Sequence, residues 1–494
     1  MIRHHRSALI ATVIASGALL LAGSPASLAA GPHSAGGPQL AAGQAPGTWT
    51  KLGLSQTAPP VLWRAPDDQT WLVWSSNKNG TYELAKIAPA GTVAAKPRPI
   101  IKGWSGVTAD PTLLAHGSVP LLVFSGQDST DPPLEQGCVV GALPASGLWT
   151  VQSWSLSSNC VFSNVGYGDA AENSKGTLSA AWSGGEGVEY RIGASGSIPA
   201  KGPDGQISLS AAHASAVAEA NDAAGNGDTY VAFYRFFSVK PSSDGVYVKD
   251  LTAGGPVIKA PLSGTESVSY PAVPQRVALA SVSRPGGGVY LAYCSNAGTC
   301  NTFLLWKAGA KKAITVPHTK LAIGLAMSAG PAGRLWLAWY DEQDNRVYTV
   351  RTNKADTRFG ALASFPAPCF ADGNTHLALT SGSFSRVEVG LECLSAGATT
   401  VPTIYITQSQ AGLTITANHA KITNKHPVKV TFTVTDAGDR VAGAKVDLRG
   451  TVRHTGSNGT VTFTFAKGLA PGGYKASASA ASYFGASTTV KVVR

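Results

Sequence analysis

The chain of 494 residues is too long for one ordinary hydrophobic core, which favours more than one domain. It contains 56 Gly and 30 Pro but only 14% charged residues, and this composition argues against long helices and against a helical cytosolic protein. The formal net charge of +11 is uneven, because residues 409–494 have eleven Lys or Arg and three Asp. Residues 31–408 are close to neutral.

The first 30 residues have the pattern of a signal peptide. Arg3 and Arg6 precede an apolar run from Ala8 to Ala22, and the small-residue segment Ser27–Ala30 follows. The apolar run is shorter than the roughly 20 residues that a membrane-spanning helix needs. We therefore expect a secreted, extracellular protein without a transmembrane segment, with cell-wall association as an alternative. Residues 31–47 are rich in Gly, Pro and Ala, which predicts a flexible leader.

One strand motif recurs seven times between residues 48 and 408, most clearly as Arg334–Asp341. Its copies align on a column of mostly aromatic residues that are 46 to 60 residues apart. The column contains Trp74, Phe124, Trp182, Phe233, Tyr293, Trp339 and Leu391. The residue before each member is Val, Ala or Gly, so one strand face is bulky and the other is slender. Such a strand is buried on both sides, as in the blades of a propeller.

This spacing predicts a β-propeller over residues 48–408, because a four-stranded blade needs about 40 to 50 residues. We expect seven blades, with six as the alternative, since Leu391 is the weakest member of the column. The seventh repeat ends after three predicted strands. The unassigned segment Thr48–Ser55 is therefore expected to supply the missing outer strand and to close the ring.

Beyond Gln408 the sequence changes to short strands that alternate between apolar and polar residues, which predicts a small β-sandwich over residues 409–494. The segments Val441–Val446, Asn458–Phe463 and Pro471–Ala476 resemble the bacterial immunoglobulin-like modules that end many exported proteins. The resemblance implies that this domain is a spacer or an anchor.

The predicted propeller resembles, loosely, the sialidase-like superfamily of BNR-type repeats. The similarity lies in the rhythm of the blades, as where Asp110–Leu113 is followed by the strand Leu122–Ser125. The Arg-Ile-Pro motif and the Asp-box turns of that family are missing from the sequence. The resemblance implies a propeller, and it keeps a divergent sialidase-like glycan hydrolase or lyase as an alternative function.

No constellation of residues predicts a particular reaction. Glycoside hydrolysis needs two carboxyl groups at a fixed separation, and each acidic residue beside the aligned strands is explained as simply by a turn or a cap. Those acidic residues are Asp169, Glu172, Glu219, Asp341, Glu342, Glu388 and Glu392. A three-arginine clamp for a carboxylate is conceivable from Arg64, Arg235 and Arg276. We identify no catalytic residue and no metal-ligand or cofactor motif, and we expect neither metal nor cofactor.

The expected ligand site is the central funnel, where the loops between successive blades meet. Aromatic, acidic and His side chains in these loops suit a sugar or a peptide. The candidates are Trp104, Asp110, Tyr167, Asp169, His213, Tyr270, His318, Asp341, Asp372 and His376. We expect this funnel to bind an extracellular carbohydrate or protein without catalysis. A structural cell-surface scaffold is a further alternative.

Six Cys form three pairs that are close in sequence: Cys138 with Cys160, Cys294 with Cys300, and Cys369 with Cys393. In an oxidising compartment they are expected to form disulfides. The sequence leaves the connectivity open, and nearest-neighbour pairing is favoured because each pair lies within one repeat or at its border.

The positive charge of residues 409–494 suggests a second partner. A basic sandwich is suited to hold an anionic cell-wall polymer, an acidic polysaccharide or a membrane surface. Nucleic acid is disfavoured, because this region has few aromatic residues for base stacking.

Overall fold

The computed structural model describes residues 45–55, 59–76, 82–101, 104–128, 136–156, 168–173, 175–184, 187–193, 205–209, 213–221, 227–236, 240–264, 279–284, 287–295, 300–317, 320–370, 375–382, 386–394 and 401–494. In these residues the fold is all-β, with strands and two short 3-10 turns at Pro241–Ser243 and Pro331–Gly333. The described residues belong to one compact unit. None of their helical segments is long and apolar enough to cross a membrane.

The strands before residue 412 form antiparallel sheets of four consecutive strands, preceded by β1 (Thr50–Leu54). Sheet 1 contains β2 (Val61–Arg64), β3 (Thr70–Ser75), β4 (Tyr82–Ile87) and β5 (Val93–Pro99). Sheet 2 contains β6 (Trp104–His116), β7 (Val119–Asp128), β8 (Gln136–Leu143) and β9 (Thr150–Leu156). Sheet 3 contains β10 (Gly168–Glu172), β11 (Leu178–Gly184), β12 (Gly187–Ile192) and β13 (Gly205–Ser208).

Sheet 4 contains β14 (His213–Asn221), β15 (Thr229–Phe236), β16 (Gly245–Asp250) and β17 (Ile258–Lys259). Sheet 5 contains β18 (Leu279–Arg284), β19 (Gly288–Cys294), β20 (Phe303–Lys307) and β21 (Ile314–Thr315). Sheet 6 contains β22 (Ala322–Ala329), β23 (Leu335–Asp341), β24 (Arg346–Arg351) and β25 (Ala363–Pro366). Sheet 7 contains β26 (His376–Ser381), β27 (Arg386–Leu394) and β28 (Pro402–Gly412), with β1 as its fourth strand.

The first strands of these sheets contact one another in cyclic order. The contacts run from β2 through β6, β10, β14, β18 and β22 to β26, and β26 in turn lies against β2. The sheets therefore surround a common axis with their first strands innermost, which is the arrangement of a β-propeller.

The aligned aromatic column lies on the second strand of each sheet, and its seven members are 0 to 4% exposed. Bulky column residues share buried clusters with the slender residues of the preceding sheet, as Trp339 does with Ala292, and Phe233 with Ala181. At Gly390 an added Cβ would lie only 3.2 Å from Leu72 Cδ1. The alternation of bulk in the sequence therefore lets neighbouring sheets pack closely.

The N-terminal strand joins the C-terminal end of the repeat array, as the sequence predicted. β1 pairs antiparallel with β28, with Thr50 opposite Ile406 and Leu54 opposite Thr403. The Oγ1 of Thr407 also donates a hydrogen bond of 2.7 Å to the carbonyl of Thr48. The outer side of β28 is thus covered, and β1 becomes the edge strand of sheet 7.

Two further sheets pack around one apolar core after β28. The first contains β29 (Thr414–Ala417), β31 (Val428–Asp436), β32 (Asp439–Arg440) and β35 (Thr460–Phe465). The second contains β30 (Lys421–Thr423), β33 (Lys445–Leu448), β34 (Thr451–His454), β36 (Gly472–Ser479) and β38 (Ala486–Val493). The short strand β37 (Tyr483–Phe484) pairs instead with β28. The predicted alternation is present, since Val430, Phe432 and Val434 are buried and their neighbours on β31 are less so.

Two of the three predicted disulfides are present, Cys294–Cys300 and Cys369–Cys393. The third pair, Cys138 and Cys160, lies outside the described side chains. The two observed bonds fit the nearest-neighbour pairing.

Candidate functional site

Three of the ten funnel candidates have described side chains: Asp169, Asp341 and His376. The side chains of Trp104, Asp110 and His213 are not described, but their backbones lie in strands β6 and β14. The remaining candidates, Tyr167, Tyr270, His318 and Asp372, lie outside the described residues.

Several candidates lie at one end of their sheets. His376 begins β26, Trp104 begins β6 and His213 begins β14. Asp341 ends β23 opposite Ala322, which begins β22. Because the first strands are innermost, their starting ends meet at one end of the central channel, here termed the entry end.

The position of Asp110 differs from the expected loop. It lies within β6, because the hairpin of β6 and β7 extends far enough to pair Trp104 with Asp128. Trp104 is therefore at the end of a long hairpin, and Asp110 lies within that hairpin.

A buried pair of polar side chains marks the entry end of sheet 7. His376 and Glu392 are cross-strand partners, and Nδ1 of His376 lies 2.5 Å from Oε2 of Glu392. Glu392 is fully buried and His376 is 9% exposed. A carboxylate against Nδ1 keeps a proton on that nitrogen and fixes the plane of the imidazole ring. The imidazole is therefore held in one orientation at the start of β26.

The pair faces sheet 1. Gly390 and Glu388 lie on the same side of β27 as Glu392, since side chains alternate along a strand. Gly390 approaches Leu72 of sheet 1, and Glu388 forms an ion pair with Arg64 of the same sheet. The polar pair therefore lies at the boundary between the last and the first sheets of the repeat array.

Phe370 is an exposed aromatic residue joined to the end of the strand that carries Glu392, and the sequence did not indicate it. Its backbone N–H donates a 3.1 Å hydrogen bond to the carbonyl of Leu394, two residues beyond Glu392. The neighbouring Cys369 is bonded to Cys393, and the ring of Phe370 is 60% exposed. A disulfide and a backbone hydrogen bond therefore fix this exposed aromatic residue to the end of β27, the strand that carries Glu392. The only signal in the sequence was an aromatic residue after Cys in an interblade loop.

Asp341 stabilises the backbone at the entry end of sheet 6. It is fully buried, and its Oδ2 accepts a 3.2 Å hydrogen bond from the backbone N–H of Lys320. Its Oδ1 accepts another, of 3.1 Å, from the N–H of Gln343. These bonds fix the segment before β22 against the end of β23, so the carboxylate acts as a turn cap.

Asp169 connects two innermost strands. Its Oδ1 accepts hydrogen bonds from Oγ1 of Thr112 on β6, at 2.5 Å, and from the backbone N–H of Ala170, at 2.9 Å. Further along the same two strands, Nδ1 of His116 lies 3.0 Å from Oε2 of Glu172. The channel side of sheets 2 and 3 therefore has one polar link near the entry end and another near the opposite end.

Glu388 belongs to a charge network at the opposite end of sheets 1 and 7. Its carboxylate contacts Arg64, lies 3.6 Å from Nε of Arg386, and accepts a 3.0 Å hydrogen bond from Gln408. Arg386 also lies 3.1 Å from Asp68, measured from Nη2 to Oδ2. Burial lowers the pKa of Arg64 to about 10 and also lowers that of Arg386. The network joins the two sheets through four opposing charges.

The described arginines do not form a clamp for a substrate carboxylate. Arg64 is engaged by Glu388 and Asp68, away from the entry end. Nη2 of Arg235 donates a 3.1 Å hydrogen bond to the carbonyl of Leu209, and Arg276 lies outside the described residues. Within the described part of the chain, no group of three or more His, Cys, Asp or Glu is placed to hold a metal ion.

Comparison with known proteins assigns no family, since neither a family model nor a curated protein matches the chain. One similar solved structure is the α-L-arabinanase of Penicillium chrysogenum complexed with arabinobiose, at 12% identity and a TM-score of 0.41. That match covers 74% of this chain and 99% of the other. An exo-β-1,3-galactanase of Phanerochaete chrysosporium is 9% identical, with a TM-score of 0.35, over 90% of this chain and 99% of that one. A GH43_1 enzyme from Xanthomonas citri is 12% identical, with a TM-score of 0.28, over 76% and 90% of the two chains.

Proposed function

We propose that this is a secreted or cell-surface protein that binds an extracellular carbohydrate at the entry end of a seven-bladed propeller. An immunoglobulin-like module, formed by residues after β28, serves as its basic spacer or anchor. The observation that carries the proposal is the buried His376–Glu392 pair, with the exposed Phe370 held by a backbone hydrogen bond to the end of the strand that carries Glu392.

The strand pairing supports seven blades. Each of the seven sheets has four strands, the first strands contact one another in a cycle, and β1 completes sheet 7. The immunoglobulin-like assignment is supported by two sheets of alternating strands around one core. The two disulfides support an oxidising, extracellular location.

A sugar-binding site needs an apolar surface for one face of the sugar ring and polar groups in fixed positions for its hydroxyls. Phe370 offers an exposed ring that is tethered by a disulfide at the preceding residue. Glu392 fixes the imidazole of His376, and Asp341 fixes the neighbouring segment at Lys320. Groups that are ordered before the ligand arrives lose less entropy on binding, so this arrangement favours affinity.

Binding is favoured over hydrolysis because three of the described carboxylates at the entry end are already engaged. Glu392 contacts His376, Asp341 accepts two backbone N–H groups, and Asp169 accepts the hydroxyl of Thr112. Glycoside hydrolysis instead requires two carboxyl groups that face the scissile bond.

A second candidate function is a glycan hydrolase or lyase of divergent type. One observation favours it, the His376–Glu392 pair, because a His oriented by a carboxylate is a common general acid or base. This function would give the imidazole a role in proton transfer as well as in hydrogen bonding.

A glycan array with the full mature chain, followed by calorimetry with the strongest hit, tests the proposal. His376→Ala and Phe370→Ala should each weaken binding about tenfold or more, as truncation of a central contact does. His116→Ala is the matched control, because His116 forms the same kind of pair with Glu172 near the opposite end. Binding that survives both entry-end substitutions, or falls equally in the control, would overturn the proposal.

The same panel of glycans distinguishes carbohydrate binding from hydrolysis or lysis. Release of reducing or unsaturated ends that disappears in Glu392→Gln would establish catalysis. Binding without product release would establish the carbohydrate-binding function.

A further inference from the structure

The outer face of the sheet formed by β30, β38, β36, β33 and β34 has an unusual charge pattern. Lys421, Lys491, Lys475 and Lys445 are exposed and project from this face, on four adjacent strands. Alternation on β36 and β38 buries Tyr474 and Val490 on the core side and leaves Lys, Ser and Thr on the outside. We refer to the four lysines and the hydroxyl residues between them as the lysine face.

Two of the three acidic residues that could balance these lysines are turned away from the lysine face. Residues 409–494 contain three Asp, and Asp436 is fully buried against Arg334 and Arg351 of sheet 6. Asp439 lies 2.6 Å from Arg334, measured from Oδ2 to Nη2. The third, Asp447, lies on the lysine face itself, opposite Ser477 of β36. Contact with the propeller therefore neutralises two of the three acidic residues, and the lysine face keeps four lysines against one aspartate.

The register of the strands places like charges side by side. Lys421 is paired directly with Lys491 on the neighbouring strand, and Gly473 lies on the other side of Lys491. Lys475 follows two residues further along β36. Like charges in neighbouring positions of a sheet destabilise it, so this arrangement favours an external anion that bridges them.

We propose that the lysine face binds an anionic polysaccharide that bears one carboxylate per repeat, independently of the ligand at the entry end. The lysines lie on adjacent strands, which are about 4.8 Å apart, and are staggered along them, so they suit single charges repeated along a polymer. Exposed hydroxyls of Ser477 and Thr489 between them suit hydrogen bonds to sugar hydroxyls.

The chemistry of the face favours this partner over a membrane or a nucleic acid. Its exposed residues on β36 and β38 are Lys, Ser, Thr and Gly, without an aromatic ring. Insertion into a lipid surface requires bulky apolar side chains, and binding of single-stranded nucleic acid requires rings on which bases stack. A hydrated, charged polysaccharide requires neither.

The test measures binding of the full mature chain to polygalacturonate, with uncharged dextran as the reference polymer. Polygalacturonate should bind and dextran should not, and raising the salt from about 0.05 to about 0.5 M should release it. The double variant Lys475→Glu/Lys491→Glu should weaken binding about tenfold or more.

The double variant Lys429→Glu/Lys467→Glu is the matched control. Its lysines are exposed but lie outside the lysine face, and it makes the same change in net charge. It should retain affinity within about threefold. His376→Ala should leave polygalacturonate binding unchanged, which separates this site from the entry end.

Three outcomes would overturn the proposal. One is no binding of polygalacturonate by the folded chain at low salt. Another is an equal loss in both double variants, since net charge would then suffice. The third is equal or tighter binding to vesicles containing anionic lipid or to single-stranded DNA.

Discussion

Nη1 of Arg334, which directly precedes β23 of sheet 6, lies 3.1 Å from Oδ2 of Asp436, on β31 of the C-terminal region. The same carboxylate contacts Arg351, and the phenol of Tyr483 donates to it at 3.4 Å. The strand β28 continues without interruption to Gly412, and β37 pairs with its end. The C-terminal sheets are therefore attached to sheet 6 by a buried ionic contact and to sheet 7 by the pairing of β37 with β28, so the region is a fixed extension of the propeller.

Replacement of Asp436 should be strongly destabilising. Asp436→Ala leaves Arg334 and Arg351 without their shared counter-ion, and breaking a buried pair in this way costs about 3–5 kcal/mol. The free energy of urea unfolding should fall by that amount. Asp447→Ala is the control, because Asp447 is more exposed and accepts a backbone hydrogen bond from Gly450. A loss below about 1 kcal/mol in Asp436→Ala, as expected for a surface pair, would contradict the buried linkage.

Attachment of β1 can be tested on two leucines of that strand. Leu52 packs against the cluster that contains Ile404 and Ile406, whereas Leu54 is exposed. Leu52→Asp places a charge against this apolar cluster and should release the strand, which exposes the edge of β28. Hydrogen exchange of β28 amides should become faster and aggregation should increase in Leu52→Asp, while Leu54→Asp remains like the wild type. Equal behaviour of the two variants would show that the pairing of β1 does not depend on this packing.

The close approach of sheets 7 and 1 at Gly390 predicts sensitivity to added volume. Gly390→Val places methyl groups against Leu72, and overpacking of a well-filled core typically costs about 1–3 kcal/mol. Gly255→Val is the control, because an added Cβ meets no atom within 4 Å there. Thermal unfolding should show a lower midpoint for Gly390→Val alone. A midpoint equal to that of the control would mean that sheets 7 and 1 accommodate the larger side chain without a loss of stability.

Tyr290 should contribute to the loss of stability in alkali. Burial, with the charge of Asp356 as a smaller cause, raises the pKa of Tyr290 from 10.0 to about 12. Between these values the unfolded chain releases the phenolic proton and the folded chain retains it. The contribution of Tyr290 to stability is therefore complete below pH 10 and is lost as the pH rises towards 12.

Tyr290→Phe removes this titration. Urea midpoints at pH of about 9 and about 11 should therefore fall less for the variant than for the wild type. Parallel decreases in the two proteins would show that the phenol titrates alike in the folded and unfolded states.

The positions of strands were predictable because the signal is local. A strand that presses against a sheet on each side must be apolar on both faces, and this property is visible within seven residues at Leu335–Asp341. The same holds for β31 and β36, where apolar and polar residues alternate. In these segments the strand propensity of the residues agrees with their burial, so the pattern of apolar residues indicates a β-strand.

The candidate site was predictable only in part. His376 was identified from its place before a predicted strand, but its partner Glu392 was considered only as an isolated carboxylate. Phe370 was missed because the exposure of a loop residue depends on neighbours that a single sequence does not specify. Asp341 was predicted as a ligand-binding residue, but in the structure its carboxylate accepts hydrogen bonds from two backbone N–H groups.

The sequence by itself determined the all-β class, the spacing of the repeats and the excess of positive charge after residue 408, and it favoured the near-neighbour disulfide pairing. These depend on composition and on spacing within one or two strands. Only the tertiary structure decided which charges neutralise one another, as Arg64 does with Glu388 and Arg334 with Asp436. Such pairs form between residues that are distant in the chain, and a buried charge is tolerated only where the fold brings a partner to it.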